Sequence, residues 1–190
     1  PIDRWLTIGV IDPRDWKTLF GASWQQRGGR LLVGGAGQGF AGRSLCLSTS
    51  DLPEIPYEVA VKVRLDDEAG AAGLVFHSDG QYRHYGFYPT AGKLRLTLFE
   101  GPDVLSWKVL FDEPSEHYRP GEWNTLKVRI EKDRLVCYVN DEIVVESTNR
   151  GPMTGQVGLA KFRNTRAEFR NFKVAGKIPG SQIAPQEAER

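Results

Sequence analysis

The run Tyr57-Glu58-Val59-Ala60-Val61-Lys62-Val63-Arg64-Leu65 decides the fold class of this chain. Every second residue from Val59 to Leu65 is aliphatic, whereas Lys62 and Arg64 occupy positions between them. Successive side chains of a β-strand point to opposite faces. The alternation therefore predicts an antiparallel strand with one face buried and the other toward solvent or a ligand.

The same alternation recurs along most of the chain, most clearly at residues 94–98 and 126–130. Turn signals separate these runs, and the 21 glycines and 11 prolines suit many short strands. No window of helical length keeps apolar residues at spacings of three and four. We therefore predict an all-β fold of about eleven to thirteen strands, arranged as a two-sheet antiparallel β-sandwich of the jelly-roll type.

Length and charge narrow the possible partners. The 190-residue chain has 25 lysines and arginines against 24 acidic residues, a formal net charge of +1. This balance gives no strong field to attract nucleic acid or an anionic membrane, so we expect neither as a partner. Residues 1–175 are predicted to form the domain. Residues 176–190 lack periodicity and are predicted to be a linker or tail toward other domains of the same chain, which are further candidate partners.

Two cysteines, Cys46 and Cys137, lie in apolar, strand-like runs. A free thiol in such a run behaves as a small buried hydrophobe, so the pattern favours two unpaired core cysteines. A single disulfide between them is the alternative. The sequence therefore does not decide between an oxidising and a reducing compartment.

Sequence signals for catalysis or metal binding are weak. Residues 37–42 match the Gly-x-Gly-x-x-Gly dinucleotide pattern, but a strand pattern follows instead of the required helix, so we predict a hairpin loop. The acidic residues at 66–68, 112–113 and Glu142 lie in turn-like surroundings and do not indicate the paired carboxylates of a conventional glycosidase. No motif predicts a metal ion, and we expect no cofactor.

Residues 73–89 are the most informative segment for function, because they combine two histidines, an aspartate, an arginine and several aromatic residues around a turn. A hairpin is the simplest interpretation. Flat rings beside hydrogen-bonding groups suit sugar binding, since a ring stacks on the apolar face of a sugar while polar groups bond its hydroxyls. The alternative is that the rings are core residues or cross-strand pairs and the histidines are incidental. The predicted ligand-binding residues are His77, Asp79, Arg83, Tyr85, Phe87, Arg95 and Trp107.

Several longer motifs follow one another in a recognisable order. They are Gly121-Glu122-Trp123-Asn124 with the alternating strand after it, and the segments 139–145, 155–159 and 169–172, preceded by Trp24 and by residues 29–31, 57–65 and 72–77. Together these motifs resemble the concanavalin A-like lectin/glucanase superfamily. Within that superfamily the chain is most similar to the bacterial DUF1080 family, also called 3-keto-disaccharide hydrolase domains. The resemblance covers about residues 15–175.

This resemblance implies a jelly-roll sandwich whose concave sheet binds glycans in many relatives. For the narrower family it implies cleavage of 3-keto glycosides, and it favours an extracytoplasmic location. The chain departs from the family at His77, where arginine is frequent, and at Tyr85 and Phe87, where polar or acidic residues are frequent. These departures bear on the enzymatic activity more than on the fold.

Three functions follow as hypotheses. The first is a glycan-binding module that holds an oligosaccharide or polysaccharide on the concave sheet, as part of a larger protein. The second is an enzyme acting on 3-keto glycosides, with His77 or His84 as the general base that abstracts an α-proton. The third is a structural or protein-interaction domain, which a large apolar patch away from the concave face would favour.

Overall fold

A computed structural model describes residues 9–148, 151–152 and 154–180, which form two antiparallel sheets. Sheet 1 contains β1 (Trp16–Leu19), β4 (Ser44–Ser48), β6 (Ala71–Ser78), β7 (His84–Thr90), β8 (Lys93–Phe99), β9 (Trp107–Pro114) and β13 (Gln156–Phe162). Sheet 2 contains β2 (Gly21–Arg27), β3 (Arg30–Gly37), β5 (Tyr57–Leu65), β10 (Asn124–Ile130), β11 (Arg134–Val139), β12 (Glu142–Thr148) and β14 (Ala167–Ala175). The spatial orders are β1-β4-β13-β6-β7-β8-β9 and β12-β11-β10-β5-β14-β3-β2.

This architecture confirms the predicted all-β, two-sheet sandwich. The run that predicted it is β5, which pairs with β10 on one side and β14 on the other. The described residues form fourteen strands, slightly more than predicted, because a strand as short as the four-residue β1 carries too little alternation to be recognised. Among these residues, no helix combines the length and the apolar character needed to cross a membrane.

The core lies between the sheets and is filled by alternate side chains from both. Val59, Val61 and Val63 of β5 are at most 1% exposed, and they belong to one cluster with inward side chains of sheet 1. Cys46 of sheet 1 and Cys137 of sheet 2 belong to the same cluster, and both are free. The expectation of two unpaired core cysteines is confirmed, and burial raises the pKa of both thiols.

The chain crosses between the sheets at residues 37–42. β3 belongs to sheet 2 and β4 to sheet 1, with a short 3₁₀ turn at Phe40–Gly42 between them. The expectation of a strand rather than a helix after this segment is confirmed, but the predicted hairpin is wrong. A Cβ atom at Gly37 would lie 2.3 Å from the Gly42 carbonyl oxygen, so the crossing requires glycine for a close backbone approach.

The outer face of sheet 1 carries a second apolar cluster, which simple alternation does not predict. It contains Leu45, Leu47, Ala71, Val75, Tyr88, Phe99, Ala160 and Phe162, all at most 4% exposed. Every residue of β6 and of β7 is consequently buried, whichever face it occupies. Parts of the chain outside the sheet must therefore cover much of this face.

A buried arginine holds those covering parts together. Arg43 precedes β4, is 3% exposed, and donates hydrogen bonds to the carbonyl oxygens of Tyr82 (3.2 Å) and Gly101 (3.1 Å). One guanidinium is thus hydrogen-bonded both to the turn between β6 and β7 and to the loop between β8 and β9. The guanidinium carbon also lies 5.2–5.6 Å from the centres of four rings, those of Phe20, Tyr82, Phe99 and Trp107.

His84 completes the arginine's surroundings and must be neutral there. An Arg43 Nη1 group lies 3.3 Å from His84 Nε2. Because a guanidinium only donates, Nε2 accepts, and Nδ1 carries the proton that bonds the Tyr85 carbonyl oxygen at 3.1 Å. Burial and the positive charge of Arg43 lower the pKa of His84 to about 3.

Packed structure continues past residue 175. Ile178 is 8% exposed and lies over the outer face of sheet 2, where its amide donates to Glu58 Oε1 at 2.6 Å. Its carbonyl oxygen accepts from Lys127 Nζ at 3.4 Å. The first part of the segment predicted as a tail is therefore anchored to the domain, whereas residues 181–190 lie outside the described residues.

Replacing Gly86 by alanine is expected to destabilise the domain. An added Cβ would lie 3.0 Å from the Phe99 ring and 3.2 Å from the Tyr88 ring, both buried. Overpacking of this kind costs about 1–3 kcal/mol, more than the roughly 0.5–1 kcal/mol gained by removing a glycine from a strand. Urea unfolding measures the difference. Gly176→Ala, where no atom lies within 4 Å of the added Cβ, is the control. Equal stability of Gly86→Ala and wild type would contradict the packing described.

The buried His84 predicts a pH-dependent stability. The unfolded histidine binds a proton near pH 6.5, but the folded one stays neutral down to about pH 3, so the free energy of unfolding falls as the pH falls below 6.5. Between pH 6.5 and 5 this slope is up to about 1.4 kcal/mol per pH unit for one group.

Urea unfolding of wild type and His84→Gln at several pH values between 7 and 5 tests this. The variant should show a shallower pH dependence, whatever its absolute stability. His117→Gln, at a histidine whose side chain is 39% exposed, is the matched control variant. If the free energy of unfolding of His84→Gln depended on pH as steeply as that of wild type, His84 would not be a buried neutral histidine.

Candidate functional site

The outer face of sheet 1 is open at strands β8 and β9, where polar side chains replace the buried apolar ones. Arg95 on β8 lies directly opposite Asp112 on β9, and on its other side opposite Tyr88 of β7. The side chains of Arg95 and Asp112 are 28% and 32% exposed. With Trp107, these two residues form what we call the outer site.

Arg95 and Asp112 are joined by one hydrogen bond, and other polar atoms of both side chains lack protein partners. Arg95 Nη2 donates to Asp112 Oδ2 at 3.2 Å. Arg95 Nε and Asp112 Oδ1 are both buried, and each lacks a protein hydrogen-bond partner. Buried polar atoms normally have hydrogen-bond partners, so these two are exceptions among the described residues. The two side chains are otherwise partly exposed, so their remaining donors and acceptors suit a ligand with hydroxyl groups.

Trp107 supplies the aromatic part of the outer site. It begins β9, is partly buried, and packs edge-on against Phe99 with ring centres 4.8 Å apart. Its Nε1 donates to the Gly101 carbonyl oxygen at 3.1 Å, the same oxygen that Arg43 bonds. The loop between β8 and β9 therefore fixes the orientation of the ring.

The floor beside this ring is made of buried aromatic side chains. Tyr88, Phe99 and Phe162 have ring centres 4.8–6.5 Å apart. The Tyr88 hydroxyl lies 2.9 Å from Thr97 Oγ1. Burial, partly offset by that hydrogen bond, raises the pKa of the Tyr88 hydroxyl. Tyr88 therefore belongs to the floor as a neutral side chain.

Two predicted ligand-binding residues, Arg95 and Trp107, lie on this face and are partly exposed. Asp79 and Arg83 lie in the exposed turn between β6 and β7. Asp79 Oδ1 accepts from the backbone amides of Gln81 and Arg83 at 2.8 and 3.2 Å, so its carboxylate shapes the turn. The structure therefore does not bring all the predicted residues into one groove.

The prediction of Tyr85 and Phe87 as exposed rings is wrong. Both are 0% exposed and belong to the core between the sheets. The register pairs them with Phe76 and Leu74, which also point inward. The outward residues of β7 are instead His84, Gly86 and Tyr88, because a shift of one residue exchanges the two faces of a strand. The alternative of core rings is confirmed for these two residues.

The two candidate bases are also buried. His77 is 0% exposed, has a backbone φ of 52°, and packs edge-on against the core ring of Tyr85 with centres 6.0 Å apart. Burial lowers its pKa to about 4. His84 is 0% exposed and bonded to Arg43. Neither ring faces an open surface from which it could take a proton from a substrate.

Sequence analysis missed Asp112, Arg43 and Tyr88. Asp112 was predicted to lie in a turn, whereas it lies within β9. One sequence signal could have indicated it. Two neighbouring alternating runs each carry one charged residue, Arg95 and Asp112, and oppositely charged residues frequently face each other on paired strands. Arg43 gave no signal, since its contacts come from segments distant in sequence.

The described side chains of the outer site can bind a ligand, but they do not include two groups placed as a general acid and a general base. Asp112 is the carboxylate of the outer site, and the Arg95 guanidinium lies beside it. Among the described residues, no group of three or more histidines, cysteines and carboxylates is arranged to hold a metal ion. The arrangement of one ring, one guanidinium and one carboxylate is chemically suited to hold a polyhydroxylated ligand.

Solved structures share this fold at low sequence identity. Carbohydrate-binding module CBM66 from Bacillus subtilis matches with a TM-score of 0.71 and 20% identity, over 85% of this chain and 95% of that one. A Bacillus subtilis protein of unknown function with a galectin-like fold matches with a TM-score of 0.64 and 13% identity, over 85% and 89% of the two chains. Sheep galectin-11 matches with a TM-score of 0.50 and 16% identity, over 66% and 94%.

No curated protein sequence matches the chain. The model of one family, described as the 3-keto-alpha-glucoside-1,2-lyase-like domain, matches residues 15–175. That range begins just before β1 and ends with β14, so it includes both sheets. The chain therefore belongs to the 3-keto-alpha-glucoside-1,2-lyase-like domain family.

Proposed function

We propose that the outer site binds a neutral oligosaccharide or polysaccharide. The observation that carries this proposal is the partly exposed pair of Arg95 and Asp112, whose side chains are 28% and 32% exposed and whose Nε and Oδ1 atoms lack protein partners. A sugar hydroxyl is both an acceptor and a donor, so it can accept from the guanidinium and donate to the carboxylate of this pair. The two side chains carry opposite charges and are paired, which favours an uncharged sugar over an anionic one.

The surroundings of the pair support this proposal. The partly exposed Trp107 ring is held at the start of the same strand, where it can stack on the apolar face of a sugar. Val109 lies between Trp107 and Asp112 on β9 and is 54% exposed. The family match and the shared fold of CBM66, a carbohydrate-binding module, support the same class of ligand.

Substitutions in the outer site are expected to weaken sugar binding. Arg95→Gln and Asp112→Asn each remove a charged hydrogen-bonding group, and Trp107→Ala removes the ring. Hydrogen bonds to charged groups contribute about 1.5–3 kcal/mol, so each polar substitution should lower affinity about ten- to a hundredfold. Isothermal titration calorimetry with a panel of neutral oligosaccharides measures the affinity.

The matched control is Arg134→Gln. Arg134 also pairs with a carboxylate, Glu131 at 3.0 Å, but lies at the start of β11 in sheet 2. Its substitution should leave sugar affinity unchanged. Absence of binding by wild type at millimolar sugar, or equal losses in Arg134→Gln and Arg95→Gln, would reject the outer site as the glycan site.

A second candidate function is elimination on 3-keto glycosides, which the family match favours. In such a reaction a base takes the proton at C2, next to the keto group, and the electron pair of the C2–H bond forms a C1=C2 double bond as the C1–O bond breaks. The electron pair of the C1–O bond leaves with the alcohol oxygen, which then receives a proton. Because His77 and His84 are buried, Asp112 is the group in the outer site that can act as the base.

Incubation with a 3-keto glucoside, followed by chromatography of the released alcohol, tests this second function. Asp112→Asn should abolish turnover, whereas His77→Ala and His84→Ala should retain it wherever the variants fold. Loss of turnover in a folded His77 or His84 variant would return the role of base to that histidine. No turnover by wild type would reject this second function.

A structural or protein-interaction domain is less well supported. The exposed apolar residues Val104, Leu105, Val109 and Leu110 lie on β9 and the loop before it. They border the outer site instead of forming a patch away from it. An apolar rim of this kind suits a ligand site at least as well as a protein partner.

A further inference from the structure

The outer face of sheet 2 concentrates positive charge, although the whole chain has a net charge of only +1. On strands β2, β3, β14, β5 and β10, the residues that alternate with core residues face outward. Cations greatly outnumber carboxylates among them. The cations are Arg27, Arg30, Lys62, Arg64, Lys127, Arg129, Arg170 and Lys173, and the carboxylates are Glu58 and Glu168.

The strand register places some of these cations in a single row. Arg27 lies opposite Arg30, Arg30 opposite Arg170, and Arg170 opposite Lys62. The row therefore crosses four adjacent strands, and neighbouring strands in a sheet are about 4.8 Å apart. We call Arg27, Arg30, Arg170 and Lys62 the cationic row.

Such a row costs stability. Like charges directly opposite one another on neighbouring strands are destabilising. Glu168 offsets part of the repulsion, since it pairs with Arg30 at 3.3 Å and with Arg64 at 2.7 Å. Within the described part of the chain, no carboxylate lies within ion-pair distance of Arg27, Lys62 or Arg170. Arg170 Nε is also buried without a hydrogen-bond partner.

Two aromatic rings on this face already contact cations of the protein itself. The Arg64 and Arg170 guanidinium groups lie 4.8 and 4.3 Å from the Trp123 ring centre. The Lys127 ammonium lies 4.5 Å from the Tyr138 ring centre. Proteins that bind single-stranded nucleic acid combine cations with rings on which bases stack, and here cations of the chain compete for both rings.

We propose that the cationic row binds a linear anionic polysaccharide that lies across the strands of sheet 2. A linear polyuronate carries one carboxylate on each sugar unit, so a chain that lies along the row can bring several carboxylates to its cations. Guanidinium groups bind carboxylates through two parallel hydrogen bonds, which suits the arginines. This surface lies on the opposite side of the sandwich from the outer site and is independent of the neutral-sugar proposal.

Polygalacturonate, a linear polyuronate, is the probe, and uncharged dextran is its neutral counterpart. Wild type should bind polygalacturonate but not dextran through this face. Because binding releases counterions, affinity should fall about tenfold or more between 50 and 200 mM salt. The double variant Lys62→Gln/Arg170→Gln should lose about tenfold or more in affinity at low salt.

The matched control is Lys93→Gln/Lys108→Gln, which removes two positive charges from sheet 1. It should leave polygalacturonate affinity unchanged. Thermal unfolding at low salt checks that the double variant in the cationic row is folded, since the substitutions remove the Arg170–Trp123 contact as well as repulsion within the row.

Three results would overturn the proposal. One is equal loss of affinity in the two double variants, which would mean that net charge alone decides binding. Another is tighter binding of single-stranded DNA or of phosphatidylserine vesicles than of polygalacturonate, which would assign the row to a different partner. The last is loss of polygalacturonate binding in Arg95→Gln but not in Lys62→Gln/Arg170→Gln, which would assign the polymer to the outer site.

Discussion

The burial of alternate side chains between two seven-stranded sheets is the constraint on which the rest of the structure depends. It fixes the register of every strand, because a slip of one residue would move a whole apolar set out of the core. In sheet 1 both faces bury apolar side chains, since a second apolar cluster occupies much of the outer face. Polar groups there remain partly exposed where the cover ends, at β8 and β9. The position of the outer site therefore follows from where burial stops.

The two outer faces of the sandwich have different chemistry. The face of sheet 1 is apolar around a buried arginine and ends in a paired guanidinium and carboxylate. The face of sheet 2 is cationic, with its aromatic rings covered by guanidinium and ammonium groups. The net charge of +1 for the whole chain does not indicate that the two faces differ in charge. The fold thus provides one face suited to neutral hydroxyl-rich ligands and another suited to negative charge.

The fold could be predicted from sequence because its signal is local. In β5, aliphatic residues alternate with charged ones, so one face is unambiguous. In β7 every residue is buried, and Tyr85, Phe87 and Tyr88 are aromatic on both faces, so the pattern cannot decide which ring points outward. Arg95 and Trp107 could be proposed from residue type alone. Asp112 and Arg43 could not, because their roles depend on strand pairing and on loops that meet only in the folded chain.

The central claim is that the open end of sheet 1 recognises a neutral sugar. The most direct test is a titration of the ¹⁵N-labelled domain with neutral oligosaccharides, followed by the backbone amide and the Trp107 indole resonances. We expect saturable shifts at the Trp107 indole and at the amides around Arg95 and Asp112, with little change on sheet 2. Shifts confined to sheet 2, or no saturable shift with any neutral oligosaccharide, would contradict it.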